Sequence, residues 1–109
     1  AALVLTAPPT HQATLGADTL IPCTFRVETP PVDPQHLGIF WSFQDEEILN
    51  ATSTVGSSNP RLSLNRETIR AGVASLSIAN VEISDEGMYR CSVLYIGERK
   101  AEDIWLDIR

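Results

Sequence analysis

The chain has 109 residues, 43% hydrophobic and 20% charged, which is the length and balance of one globular domain with a modest core. Its formal charge is −6, and Lys100 is its single lysine, which argues against nucleic acid and anionic membrane surfaces as partners. No apolar run approaches the roughly 20 residues of a membrane span, so membrane insertion by this domain is not expected. Any targeting or anchoring segment is expected outside this stretch.

Seven Pro and six Gly punctuate short alternating segments, and no apolar stripe holds a 3.6-residue period over three turns, so the chain reads as β. Leu3-Val4-Leu5 opens an edge strand that Pro8-Pro9 interrupts. Thr19, Ile21, Cys23 and Phe25 share one face of the next strand, where Pro22 lacks the N–H a ladder needs and marks an edge or bulge. Residues 29–34 form a stiff, extended loop. Leu37, Ile39, Trp41 and Phe43 then alternate inward as far as a solvated Asp45-Glu46-Glu47 turn.

A short strand over residues 47–51 precedes a polar connection over 53–59 and strands over 61–64 and 73–79. Ala74, Leu76 and Ile78 point inward on the last of these. Residues 84–87 make a tight turn. Tyr89, Cys91, Val93 and Tyr95 face inward, Gly97 marks a hairpin, and Ile104, Leu106 and Ile108 line the final strand. Eight or nine short strands separated by turns predict an all-β, two-sheet sandwich.

Cys23 and Cys91 are too few for a zinc site without histidine, and neither His11 nor His36 has ligand spacing to them, so no metal or cofactor is expected. One long-range disulfide is the economical reading, and it implies an oxidising compartment; two free buried thiols in a cytosolic domain are the rival. Closing a 68-residue loop stabilises a fold by about 4 kcal/mol on the chain-entropy account.

Cys23, Trp41 and the run Asp85-x-Gly87-x-Tyr89-x-Cys91 together resemble the signature of an immunoglobulin domain, over nearly the whole chain. The resemblance implies a Greek-key sandwich whose disulfide pins one sheet to the other, with the Trp41 indole packed against it. It also implies that the Tyr89 hydroxyl satisfies a backbone group, that Gly87 supplies a permissive turn, and that Asp85 pairs with Arg61. All of these are structural roles. Room for two extra strands between Trp41 and Arg61 favours the variable type, with residues 1–109 as a single V-type domain cut from a larger ectodomain.

Cys91 onward reads CSVLYIGERKAEDIWLDIR, without the Phe/Trp-Gly-x-Gly segment of antigen receptors. Phe40-Trp41 followed by Ile48-Leu49, and Gly87-x-Tyr89-Arg90-Cys91, are similar to the membrane-distal domains of butyrophilins and of T-cell costimulatory or coinhibitory ligands. The stretch from Ala74-Ser75-Leu76 to Asp85-Glu86-Gly87 also resembles tapasin-like chaperones.

Alternation places Phe40, Ser42 and Gln44 outward on the sheet that carries Trp41 and Cys91, together with Arg90, Ser92 and Leu94, and with Ala101, Asp103 and Trp105. Phe40, Leu94 and Trp105 are expected to form one exposed apolar patch rimmed by Arg90 and Asp103, the anatomy of a binding face. The bland counter-reading is that a loop or a second domain covers these rings. In the resembling families this face engages receptors, which implies partner contact by Phe40, Ser92, Leu94, Asp103 and Trp105. Ile96 and the Gly97-Glu98-Arg99-Lys100 tip are accessory. Asn50-Ala51-Thr52 is the single Asn-x-Ser/Thr sequon, a candidate glycan site near the edge of the face.

Neither histidine stands beside a nucleophile, and no phosphate loop or Gly-x-Ser-x-Gly elbow occurs, so no catalysis is expected. The resemblance implies an immune receptor or ligand module on the extracellular face of the plasma membrane, binding another cell-surface immune protein. Self-pairing of the same face into a homodimer is an alternative. So is a tapasin-like role on MHC-type proteins in the secretory pathway.

Overall fold

A computed structural model describes residues 3–51, 55–56 and 59–109. In chain order the strands are β1 (Leu3–Thr6), β2 (Thr10–Ala13), β3 (Thr19–Ile21), β4 (Thr24–Val27), β5 (Leu37–Phe43), β6 (Glu46–Ala51), β7 (Val55–Gly56) and β8 (Leu62–Ser63). A one-turn helix α1 (Arg66–Arg70) separates these from β9 (Leu76–Ile78), β10 (Gly87–Tyr95) and β11 (Glu98–Ile108). The front sheet runs β2-β11-β10-β5-β6-β7, and the back layer holds β3-β9-β8 and the pair β1-β4.

Prolines set the crossing points. The first strand divides at Pro8-Pro9, so β1 pairs antiparallel with β4 in the back layer while β2 pairs parallel with β11 in front. Pro22, which cannot donate, divides the next strand path between β3 and β4. One half pairs with β9, and the other pairs with β1 and bridges to Val73. The extra front-sheet strands β6 and β7 lie between Trp41 and Arg61, as the variable type requires.

The sequence pattern did not carry α1. Asn65 supplies its cap, its side-chain oxygen accepting from the N–H groups of Glu67 and Thr68, and the expected strands over 61–64 and 73–79 shorten to β8 and β9 around it. Part of the expected 53–59 connection lies outside the described residues.

The inward residues of both layers make one core. Cys23 is bonded to Cys91 across it, and Trp41 is fully buried with its indole N–H donating to the Ala74 carbonyl at 2.8 Å. A polar lock closes the lower end. The two guanidinium nitrogens of Arg61 each reach a carboxylate oxygen of Asp85 at 2.9 Å, and the Tyr89 hydroxyl donates to the Asp85 carbonyl at 2.7 Å. The Asp85 carboxylate also accepts from the Glu82 N–H. Arg61, then that backbone bond, holds the Asp85 carboxyl below its usual range despite burial, and burial pushes the Tyr89 phenol up. Gly87 follows the lock because a Cβ there would meet the ring of Phe43, which packs on Tyr89 with centroids 4.6 Å apart.

A carboxyl depressed in the folded state stabilises fully above its unfolded value near pH 4. That contribution is lost as pH falls through the lower folded value. Arg61→Ala is expected to cost about 2–3 kcal/mol at neutral pH in urea denaturation and to flatten the loss of stability below pH 4. An unchanged acid profile in the variant would show that the lock does not carry this linkage.

Candidate functional site

The outer face of the front sheet is set by β10. With Tyr89, Cys91, Val93 and Tyr95 buried, Met88, Arg90, Ser92 and Leu94 must face out. The register gives each of them neighbours. Leu94 lies between Gly38 and Arg99, Ser92 between Phe40 and Ala101, and Arg90 between Ser42 and Asp103, while Met88 stands opposite Trp105.

Phe40 and Trp105 are therefore about four residues, roughly 13 Å, apart along the strands and lie on opposite sides of β10. The expected single patch resolves into two. The upper cluster is Phe40 with Leu94, and Arg99 reaches across from β11 to place its guanidinium carbon 5.1 Å from the Phe40 ring centroid. The lower cluster is Trp105 with Met88, each 41% exposed. Met88 was missed because the inward pattern was read from Tyr89 onward; one more step of the same alternation places it on the face.

Between the clusters, Arg90 forks onto Asp103, with Nε to Oδ1 at 2.7 Å and the second nitrogen to Oδ2 at 3.2 Å. The bonds hold the Asp103 carboxyl below its usual range and raise Arg90. Both side chains are about half exposed, so the pair adds little to stability and presents a polar, oriented centre instead. Ser42, Gln44, Asp45 and Met88 complete a shallow hollow of about 150 Å³ beside it. Gln44 reaches that hollow from the turn and not from the strand. Gln44 and Asp45 have φ of 51° and 67°, the two left-handed positions of a tight hairpin, and the Gln44 N–H donates to the Met88 carbonyl.

The β10–β11 hairpin turns on Ile96 and Gly97, again with both φ values positive, 47° and 78°. Glycine accepts that conformation readily, whereas a β-branched side chain there is strained. Ile96 is also 67% exposed, so no packing returns the cost. Asn50 pairs directly with Phe40, which puts it on the face beside the upper cluster and not merely at the edge. Thr52 of its sequon lies outside the described residues. Among the described residues no three His, Cys, Asp or Glu side chains gather as a metal site, and no helix is long and apolar enough to cross a membrane.

The Cys23–Cys91 bond, buried Trp41, the Tyr89 and Arg61–Asp85 lock and the β6–β7 insertion are the frame of a variable-type immunoglobulin domain. The model of the immunoglobulin V-set domain matches residues 6–105, and the chain belongs to that family. It is 28% identical over 104 residues to programmed cell death 1 ligand 1 of Mus musculus, covering 88% of the chain and 36% of that protein. The chain thus spans about a third of the length of that relative. Among solved structures it resembles the human B7-H4 IgV-like domain, with a TM-score of 0.84, 18% identity and coverage of 97% and 96% of the two chains. It also resembles bovine butyrophilin, with a TM-score of 0.80, 22% identity and coverage of 99% of this chain and 55% of that one. The expected likeness to costimulatory ligands and butyrophilins is thereby shown.

Ile96→Asn introduces the residue that a two-residue turn before glycine favours. It is expected to raise stability by about 1 kcal/mol, a rise of several degrees in Tm. A neutral or destabilising result in thermal melts would remove the strain from the account.

Proposed function

We propose that the chain is a non-catalytic recognition module exposed outside the cell, which binds an immune cell-surface protein through the outer face of its front sheet. One observation carries the reading. Two aromatic-centred clusters, Phe40 with Leu94 and Trp105 with Met88, are left partly in solvent on either side of the Arg90–Asp103 pair. Phe40 and Trp105 serve as anchors, Arg90 and Asp103 set orientation, and Ser42, Ser92, Gln44 and Ile96 make the rim. Kinship with a protein named as a ligand of programmed cell death 1 supports the immune context.

A net charge of −6 on each copy opposes self-pairing and favours a partner of different composition. The disulfide suits an oxidising compartment. A glycan on Asn50 would stand next to Phe40 and limit the footprint on the β6 side.

The test is binding of fluorescent tetramers of the chain, secreted from animal cells, to mixed leukocytes. Wild type is expected to stain a subset. Phe40→Ala and Trp105→Ala are each expected to lose at least tenfold in staining with Tm within a few degrees of wild type, while Leu20→Ser on the back layer stains normally. Asn50→Gln, which removes the sequon, is expected to stain at least as strongly as wild type. Loss of staining by Leu20→Ser with the two ring variants unaffected would move the site to the other sheet. A large drop in Tm for both ring variants would assign those rings to packing.

A further inference from the structure

We propose that a second site, outside the front sheet, binds a small carboxylate with an aryl or alkyl body. The site is a cavity of about 330 Å³ between β4, the proline loop that follows it and the end of α1. Phe25 and Val27, both buried on β4, line it together with Pro30 and Val32 from the loop. Arg26 on β4 and Arg70 on the last turn of α1 join the same lining, and no acidic residue does. The Phe25 N–H donates to the Gly72 carbonyl at 2.8 Å, which holds the turn after α1 against β4.

The charge arrangement selects the ligand. The chain is strongly acidic, and Arg61, Arg90 and Arg109 are each paired with carboxylates. Arg26 and Arg70 have no ion-pair partner among the described residues. The nearest acids in sequence, Glu28 and Glu67, do not line the cavity. Two arginines on one cavity with no acid in its lining match a carboxylate in charge, and Pro30, Pro31 and Val32 of the same lining take an apolar body that acetate lacks. The volume is at the lower end of ligand pockets, enough for a phenyl ring on a short chain. A free acid and the C-terminal residue of a peptide with an apolar side chain present this same chemistry.

The experiment follows backbone amide NMR shifts of the chain during titration. Probes are 4-phenylbutyrate, the neutral 4-phenylbutanol, acetate, and N-acetyl-Gly-Phe as free acid and as amide. Saturable shifts at Phe25, Arg26, Val27, Arg70 and Gly72 are expected with phenylbutyrate or the free-acid peptide at millimolar concentration, and whichever binds more tightly identifies the source. The alcohol, the peptide amide and acetate are each expected to bind about tenfold more weakly or not at all. Arg26→Gln with Arg70→Gln is expected to weaken the acid by about tenfold while keeping a dispersed spectrum. Equal binding of acid and alcohol, shifts centred on the front sheet, or no saturable shift would overturn the proposal. These comparisons on wild type decide the matter even if the double variant fails to fold.

Discussion

The bond between Cys23 and Cys91 sets the rest of the molecule, because it decides which way β10 faces. A strand has a side-chain period of two, so holding Cys91 in the core commits Tyr89, Val93 and Tyr95 inward and Met88, Arg90, Ser92 and Leu94 outward. A slip of one residue would bury Arg90 and expose Tyr89. Because β5 and β11 pair with β10, that choice passes to Phe40 and Trp105 through hydrogen-bonded register alone. The face proposed for recognition is thus a by-product of how the core is tied.

Stability and the proposed recognition draw on separate residues. The Arg61–Asp85–Tyr89 lock and the buried Trp41 lie inside or below the sandwich, where hydrogen bonds are sheltered from water. The front face carries an exposed ion pair, partly exposed rings and a strained Ile96, features that contribute little to folding or oppose it. The upper half of β11, from Arg99 to Asp103, is exposed throughout and pairs with β2 only beyond it, from Trp105 onward. Its charges at Arg99, Lys100, Glu102 and Asp103 guard that open edge.

The core was legible because it obeys alternation and because cysteine, tryptophan and the Asp85-to-Cys91 run have fixed jobs. Inward Leu37, Ile39, Trp41, Ile104 and Leu106 are buried as expected. What alternation could not supply was position along neighbouring strands, since that depends on where each hairpin turns. The turn at Ile96-Gly97 places Trp105 opposite Met88, and only then does it fall far from Phe40. Gln44 departs from strand alternation for the same reason, its φ being positive in the turn. The helix α1 escaped notice because one turn shows no period, although Asn65 before Arg66-Glu67 is a capping signal.

On the proposed function the front face stays open for a different protein, with Trp105 and Met88 in solvent on a solitary chain. Sedimentation velocity of the purified chain over a wide concentration range tests this most directly. It should sediment as a monomer throughout, and Trp105→Ala should sediment identically. A reversible wild-type dimer that Trp105→Ala dissolves would contradict the account, because the face would then be occupied by a second copy.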